Sequence, residues 1–466
     1  VSTILSLIHL GPHAFDTIGG EVVSTAAFIL VNSSIYDSCG FFFQLVEGSN
    51  ESEKRDFLLQ SLSKENSEIE YKVSTSSFLK IPGVRIIYWM NDYTIFNLPK
   101  LGEYFVSGGR NKTHNDEYYL RYVWEVSRGS KRWKIYAKGG EYRKYYGNDA
   151  YLVDWSMEAR SYYDSKGGLL NPKFLGKEGI TWSLTSTNPS FRLKRSEVLY
   201  SSAAPTIFNK SYKLDKLNLA YLNSNVVRFL LDALNPTLSV TVGDVLSLPF
   251  IDLEAVKNIE NNVDELINIS KMDWDDYETS WDFKESPFFR HISVPNNINI
   301  SKQYSVIREK WRDNVEQFQK LEEENNKLFV EKINFSNKVV SDIPINEITL
   351  KSNPYYRYTG HYPYKKIEDR FKEDVIKEFV SYVIGILFGR FSLSNPGFIL
   401  ADQDKTLTYY FSKIPDQIIF PDEDNLIPIV QGDWFPDGAT SRFKEFLRVT
   451  FGDEHFTENL TFIEEA

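Results

Sequence analysis

The residues best suited to chemistry in this sequence are cations interleaved with aromatic side chains between positions 110 and 150. Arg121-Tyr122, Lys131-Arg132-Trp133 and Arg143-Lys144-Tyr145-Tyr146 repeat this pairing. Residues 107–250 carry 21 Lys and Arg against 13 Asp and Glu, a net charge of +8, so the rest of the chain carries −19 of the total of −11. Because Lys and Arg neutralise phosphates and a basic module is typical of polyanion binding, this segment predicts contact with nucleic acid.

Neutral side chains and glycines accompany these cations. Thr113, Asn115, Asn148, Thr181 and Ser183 can donate to and accept from base edges. The Gly139-Gly140 pair lets backbone amides come close to a duplex. Tyr-rich strands with lysines on their outer face also describe many ordinary sheets, so the pattern alone leaves a structural role open.

Other kinds of site chemistry find little support. The six histidines are scattered, and the pair with helical spacing, His9 and His13, flanks Pro12, which disfavours a helix. We therefore expect no metal site. Gly-rich phosphate-binding loops and the Gly-x-Ser-x-Gly elbow are absent. The string Asn353-Pro354-Tyr355-Tyr356 resembles the Asn-Pro-Pro-Tyr loop of amino-methyltransferases but lacks its second proline, so we interpret it as an extended loop before the next helix.

Length and composition place the chain among globular proteins. Its 466 residues allow roughly two to four domains, and its aromatic content reaches 15%. The longest apolar run, Phe379–Phe388, is too short to span a bilayer. The single cysteine, Cys39, fits a reducing cytosol and is expected to be a buried structural thiol. We therefore expect a cytoplasmic protein with no membrane contact.

Composition divides the chain into four parts, which together predict a mixed α/β (α+β) protein. Each part differs from its neighbours in charge, glycine content or hydrophobic period. In chain order we expect a strand-rich connector, a basic α/β module, a helical spacer and a small α+β region, over residues 1–106, 107–250, 251–344 and 345–466.

Hydrophobic periodicity predicts individual elements within these parts. Two apolar runs, Ile4–Leu10 and Val22–Val31, predict a β-hairpin or two adjacent buried strands. Val84–Trp89 predicts a half-buried strand, and the stretch after Phe388 shows no closing element. Helices are predicted over Glu47–Glu70, Leu217–Leu234, Val256–Ile269, Tyr304–Phe335 and Glu368–Phe388.

Several strings resemble the adenine-specific DNA methyltransferases of BREX phage-exclusion systems, the PglX family. Gly19–Val23 looks like the last hairpin of the family's methyltransferase domain, which would make the first part the end of a methyltransferase sheet. The second part would then be the target-recognition domain. The strings that carry this resemblance are Gly139–Asn148, Asp154-Trp155, Lys177–Ser183, Leu234–Leu238, Val242–Asp244, Asp273–Asp275, Glu278–Phe283 and Gly389–Leu393.

The resemblance implies a function. The chain would be the target-recognition and C-terminal part of a site-specific, restriction-modification-like bacterial enzyme. The parent enzyme transfers a methyl group from S-adenosylmethionine to the exocyclic amine of a flipped adenine. The family's cofactor loop and Asn-Pro-Pro-Tyr loop lie upstream and are absent from these residues. The chain alone is therefore expected to contain no catalytic residue, to bind no cofactor and to be inactive. The implied partners are double-stranded DNA and other BREX subunits.

The resemblance and the basic pattern together suggest which residues contact DNA. Base contacts are expected from Thr113 and Asn115, although Thr113-His114-Asn115-Asp116 departs from the family's Thr-Gly-Asp-Asn-like turn. The phosphate contacts are expected from Arg110, Lys112, Lys138, Arg143, Lys144 and Arg192, with Gly139, Gly140, Lys177, Thr181 and Ser183 in support.

The alternative is a non-catalytic protein-interaction scaffold that docks other subunits of the defence complex. The two hypotheses differ in where they place the cations. One connected basic face near Gly139-Gly140 would favour DNA, whereas dispersal of the cations over all faces would favour the scaffold.

Overall fold

A computed structural model describes most of the chain, and the described residues form two compact units. The first unit comprises residues 1–103, 230–236 and 243–252, and the second comprises residues 104–229, 237–242 and 253–466. The predicted turn at Gly19-Gly20 lies outside the described residues, as does Pro236. The residues not described are 1–2, 18–22, 34, 36–37, 64–66, 91, 127–129, 187, 236, 253–256, 291–297, 334–338, 361–362, 402–403, 417 and 431–433.

The first unit contains a four-stranded mixed sheet. Its strands follow the order β2-β1-β3-β4, and helix α1 (Glu51–Ser63) connects β3 to β4, which confirms the predicted polar helix. Strand β1 pairs antiparallel with β2 and parallel with β3. The strands are β1 (Thr3–Gly11), β2 (Thr25–Val31), β3 (Cys39–Gln44) and β4 (Glu70–Ser74).

Three expectations for this unit need correction. The two apolar runs do form adjacent strands, but β2 lies at the sheet edge, where Phe28 is 61% exposed. Cys39 is exposed, because the alternation of β3 places it on the same side as exposed Phe41 while Phe42 faces the core. Val84–Trp89 forms no strand, although it buries Ile87 and Tyr88.

The second unit contains two further four-stranded sheets. One is antiparallel with the order β10-β9-β12-β5, and the other is mixed with the order β11-β7-β8-β6. Tyr163 and Tyr200 are buried in the core beside the second of these sheets. The strands are β5 (Phe105–Val106), β6 (Leu120–Tyr122), β7 (Trp133–Ala137), β8 (Tyr151–Asp154), β9 (Gly179–Trp182), β10 (Phe191–Lys194), β11 (Leu199–Tyr200) and β12 (Thr206–Asn209).

Helices make up most of the remaining regular structure. The shorter ones are α2 (Leu101–Tyr104), α3 (Asp116–Tyr119), α4 (Met157–Ser165), α5 (Lys216–Leu222), α6 (Asn225–Leu234), α7 (Val242–Leu246), α10 (Pro354–Arg357), α12 (Leu407–Lys413) and α14 (Phe456–Glu464). The longer ones are α8 (Lys257–Asp275), α9 (Ile300–Ile333), α11 (Ile367–Leu387) and α13 (Ala439–Phe451). The mixed α/β class is therefore confirmed, as are the predicted helices at α8, α9 and α11.

The helix predicted over Leu217–Leu234 is two helices, α5 and α6, separated at Asn223. The Asn223 side chain accepts a hydrogen bond from the backbone N of Phe191 at 2.9 Å and donates one to its carbonyl at 2.9 Å. The same side-chain amide also donates to the carbonyl of Leu219 at 3.1 Å, at the C-terminal end of α5. The break depends on a contact between distant residues, which a local period does not contain.

The C-terminal region closes with α13 and α14, so the expectation of a tail without a closing element is wrong. Phe446 and Phe451 of α13 both pack against Phe289, and Phe451 also packs against Phe379 of α11, in a core rich in phenylalanine. This core accounts for part of the high aromatic content. None of the helices in the described part of the chain has the length and apolarity needed to cross a membrane.

Candidate nucleic-acid interface

The turn from Lys112 to Asp116 is a tightly held loop at the edge of the mixed sheet. The backbone N of Lys112 donates to the carbonyl of Gly168 at 2.7 Å, and the Asn115 side chain accepts from the backbone N of Tyr118 at 3.2 Å, which caps α3. Thr113 is buried and its hydroxyl donates to Asp116. Of the residues predicted here, Asn115 is exposed and Lys112 half-buried, so both remain accessible to a ligand, whereas Thr113 is committed to the turn.

Lys138, at the end of β7, joins this turn through an ion pair with Asp116. Burial opposes ionisation of Asp116, but the bonds from Lys138 and Thr113 outweigh it and lower the pKa of this carboxyl. Asp116 is therefore ionised at neutral pH. It holds the Lys138 ammonium in place and neutralises part of its charge.

Three aromatic rings continue the surface away from Lys138. The rings of Tyr122 and Trp124 stack with centroids 4.5 Å apart and planes 3° apart, and Tyr122 stacks on Tyr151 at 5.0 Å. The Lys138 ammonium lies 5.9 Å from the Tyr151 centroid. We call Trp124, Tyr122 and Tyr151 the aromatic ladder. With the turn and Lys138 it forms one connected surface of cations and aromatic faces.

The Gly139-Gly140 pair serves the fold of its own turn. Both residues have positive φ, +83° and +128°, and a Cβ on Gly140 would come within 2.7 Å of the Asn148 side chain. The carbonyl of Gly140 accepts a hydrogen bond from the Ser183 hydroxyl at 2.9 Å. Gly139 is buried and Gly140 exposed, so only the second glycine offers its backbone to solvent.

Arg192 and Thr181 lie inside the second unit. One guanidinium nitrogen of Arg192 donates to the Ser183 hydroxyl at 3.3 Å and another to the carbonyl of Arg143 at 3.0 Å. Burial lowers the pKa of Arg192 to about 10, so it stays charged at neutral pH. The Thr181 hydroxyl donates to the carbonyl of Pro205 at 2.9 Å. These polar groups satisfy buried backbone and are closed to a duplex.

Arg143 is also buried, and it links the basic module to the helices that follow. Its guanidinium donates to an Asp273 carboxylate oxygen at 2.9 Å, to the carbonyl of Ser270 at 2.7 Å and to the carbonyl of Tyr146 at 2.7 Å. It also lies 5.2 Å from the Trp274 ring. A guanidinium used on all sides in this way cannot reach a phosphate.

Lys144, beside it, makes an equivalent internal pair. Its ammonium lies 3.0 and 3.1 Å from the two carboxylate oxygens of Glu322 on α9. Burial alone would lower the pKa of Lys144, but the Glu322 carboxylate reverses the shift and raises it. The expectation of phosphate contacts from Arg143, Lys144 and Arg192 therefore needs correction, because all three are at least 96% buried. Arg143 and Lys144 pair with buried acids, and Arg192 bonds to a buried carbonyl and hydroxyl.

Of the remaining predicted residues, Ser183 is buried and bonded to Gly140, so the support expected from it needs correction, whereas Arg110 and Lys177 are accessible. Arg110 is exposed on the strand-free segment before the Lys112 turn, and Lys177 is half-buried with its ammonium 5.1 Å from the Tyr212 ring. The structure therefore brings together Lys112, Asn115 and Lys138. Of the other five predicted cations, it leaves Arg110 and Lys177 accessible and places Arg143, Lys144 and Arg192 in the interior.

The residues expected to contact DNA did not include Arg121 and Arg132, although the alternating pattern contains both. Arg121 and Arg132 lie 5.7 and 5.2 Å from the ring of Trp133, and Arg132 also pairs with Asp154 at 2.6 Å. The alternation of cations with aromatic residues was the available signal for them. The aromatic ladder had no such signal, because Tyr151 reaches Tyr122 only through the antiparallel pairing of β6 with β8.

The described residues contain no cluster of side chains suited to binding a metal ion. In the part of the chain that the structure describes, no three His, Cys, Asp or Glu side chains are grouped closely enough to hold a metal ion. Asn353, in the loop that resembles the methyltransferase motif, is buried and caps α10, donating its amide to the carbonyls of Ile345 and Ile348 at 2.7 and 2.9 Å. The segment is therefore structural, and it forms the short helix α10 (Pro354–Arg357) instead of the extended loop that was expected.

The chain is similar in sequence to two adenine-specific methyltransferases. The chain is 31% identical over its whole length to the adenine-specific methyltransferase BrxX of Escherichia coli O9:H4 (strain HS). It is 29% identical over 99% of its length to the adenine-specific methyltransferase PglX of Lacticaseibacillus casei (strain Zhang). The predicted resemblance is thereby confirmed. The chain spans 38% and 39% of the length of these relatives.

Family models and solved structures add less. No protein-family model matches the chain. Among solved structures, the Type IIL restriction-modification enzyme MmeI in complex with DNA aligns with a TM-score of 0.39 and 10% identity, over 76% of this chain and 46% of that one. A likeness at this level carries no argument about function.

Proposed function

We propose that this chain is the target-recognition and C-terminal part of an adenine-specific DNA methyltransferase of a BREX phage-defence system. It binds duplex DNA, and the parent enzyme methylates the exocyclic amine of adenine with S-adenosylmethionine. The observation that carries the proposal is similarity to two adenine-specific methyltransferases over essentially the whole chain. Other BREX subunits and a cytoplasmic location are part of the same proposal.

The connected surface supports the DNA-binding half of the proposal. Lys112 and Lys138 supply positive charge for phosphates, and the exposed amide of Asn115 supplies a donor and an acceptor for base edges. The aromatic ladder adds stacked, partly exposed rings beside these cations, and their accessible parts can pack against a base or a sugar. The predicted four-part division of the chain remains a hypothesis of the same kind.

Two measurements test this proposal separately. The full chain should bind a fluorescent duplex at low salt, with affinity that falls steeply between 50 and 200 mM salt, roughly in proportion to the phosphates contacted. Incubated with the same duplex and labelled S-adenosylmethionine, the chain alone should transfer no methyl group. Failure to bind duplex would overturn the recognition role, whereas methyl transfer would overturn only the absence of catalysis.

The protein-interaction scaffold remains the second candidate. The internal use of Arg143, Lys144 and Arg192 favours it, since three of the predicted DNA contacts stabilise the fold instead. It predicts that neutralising Lys112 and Lys138 leaves duplex binding unchanged. The two candidates are thus separated by one pair of substitutions.

A further inference from the structure

Residues 414–438, which we call the acidic apolar loop, expose an unusual density of large apolar side chains. The segment contains six Asp and Glu and no Lys, Arg or His. Ile429 is 90% exposed and Trp434 79% exposed, and Leu426 and Phe420 are also more than half exposed. Exposed apolar groups concentrated in this way mark interaction sites in soluble proteins.

Described residues of the loop are bonded to the first turn of α13. The Arg442 guanidinium donates to the carbonyl of Phe420 at 2.5 Å, and the backbone N of Ala439 donates to the carbonyl of Pro428 at 2.9 Å. Asp422, itself buried, accepts from the backbone N of Leu426 at 3.0 Å. These bonds fix the backbone at both ends of the exposed stretch.

The inward side chains of the loop already satisfy the core. Ile419 is buried in the phenylalanine-rich core and Ile427 packs against it. Phe420 and Ile429, next to or near them in sequence, point outward. The outward side chains, Phe420 and Ile429, are therefore not part of the packing of this core.

The negative charge of the loop limits the kinds of molecule that can bind to it. Asp416, Glu423, Asp424 and Asp437 are exposed beside the apolar side chains. These carboxylates repel nucleic acid and anionic lipid, and a second copy of the same face would bring acid against acid. A partner surface that is apolar and also carries Lys and Arg is complementary to both the exposed apolar side chains and the carboxylates of the loop.

We propose that the acidic apolar loop is a docking site for a separate protein that presents a basic, apolar surface such as a cationic amphipathic helix. Trp434 and Ile429 are the anchors, since tryptophan is enriched among the residues that dominate interface energy. The exposed carboxylates orient the partner and accelerate its association. The site is independent of the duplex surface.

The test uses two synthetic 18-residue helices as probes, one of Leu and Lys and one of Leu and Glu in the same pattern. Fluorescence anisotropy with the full chain should show binding of the Lys probe and at least ~10-fold weaker binding of the Glu probe, a difference of about 1.4 kcal/mol. Trp434→Ser with Ile429→Ser should weaken the Lys probe by ~10-fold or more. Glu423→Gln with Asp424→Asn should weaken it and flatten its salt dependence.

The matched control is Val306→Ser with Val340→Ser, which removes two apolar side chains that are 62% and 71% exposed elsewhere. These substitutions should leave binding of the Lys probe unchanged. Equal binding of both probes, or equal weakening in the control, would overturn the proposal. So would self-association of the chain, or binding to anionic vesicles, that Trp434→Ser abolishes. Because these side chains are exposed, the thermal unfolding midpoint should not move in any variant.

Discussion

The Lys144 ammonium and the Glu322 carboxylate form a buried ion pair, with both carboxylate oxygens 3.0 to 3.1 Å from the nitrogen. The two residues are 178 positions apart in the chain. Together with Arg143 and Asp273 they bind the basic module to α8 and α9. A segment that composition marks as a spacer is therefore held to the module by ion pairs within the second unit.

Lys144→Ala should destabilise the chain by about 3–5 kcal/mol, because it leaves the Glu322 carboxylate buried without its partner. Guanidinium denaturation measures the change in the free energy of unfolding. The control is Lys144→Met with Glu322→Leu, which removes both charges and should be close to neutral. If Lys144→Ala lowered duplex affinity while leaving stability unchanged, the internal role of Lys144 would be refuted.

Lys112→Ala with Lys138→Ala should weaken duplex binding and reduce the slope of log affinity against log salt by about 0.9 for each phosphate that is no longer neutralised. Titrations at several salt concentrations give this slope. Lys302→Ala with Lys310→Ala removes two exposed cations from α9 and serves as the control of equal charge. An equal effect in both pairs would show that net charge alone, and not this surface, governs binding.

Asp116→Asn should raise duplex affinity by about 3–10-fold, because it frees the Lys138 ammonium and removes a negative charge from the surface. The asparagine can still accept the bond from Thr113. Asp164→Asn, an exposed carboxylate on α4, controls for charge. A decrease in affinity would indicate that Asp116 holds Lys138 in its binding position.

Asp276, on the segment after α8, predicts a specific dependence of stability on pH. Burial raises the pKa of Asp276 to about 6 from an ordinary value of 3.8, despite its ion pair with Arg290. A raised carboxyl pKa means that the folded state binds the proton more tightly than the unfolded state. The stability associated with this group is therefore greatest below pH 4 and is lost as the pH rises to about 6.

Asp276→Asn should remove this part of the pH dependence, about 2–3 kcal/mol between pH 4 and pH 7. The asparagine oxygen can still accept the bond that the Trp311 indole donates at 3.2 Å. Urea denaturation of the wild type and the variant at both pH values measures the difference. Asp264→Asn, with an exposed carboxylate on α8, should follow the wild type, and an identical profile for Asp276→Asn would exclude burial of this carboxyl as the cause.

Sequence alone predicts the long helices and the pairing of β1 with β2, because these follow from hydrophobic period and turn position. It fails for β2 burial and for Cys39, since alternation shows which residues share a face but not which face the core covers. For the candidate surface, the sequence likewise indicates correctly that some cations are accessible and fails to show that others are buried. Lys112 and Lys138 are accessible as expected, whereas Arg143 and Lys144 have identical local signals and pair with acids more than 120 residues away.

The pairs Arg143–Asp273 and Lys144–Glu322 limit how the basic module can be exchanged between relatives. A chimera that replaced residues 107–250 alone would place a foreign segment against Asp273 and Glu322, and any mismatch would leave an unpaired charge in the interior. An exchange that keeps both pairs must either replace α8 and α9 together with residues 107–250 or retain Arg143 and Lys144. Under the proposed function, substitution of the exposed residues in the Lys112–Asp116 turn and the aromatic ladder would be the way to change specificity while leaving both buried ion pairs intact.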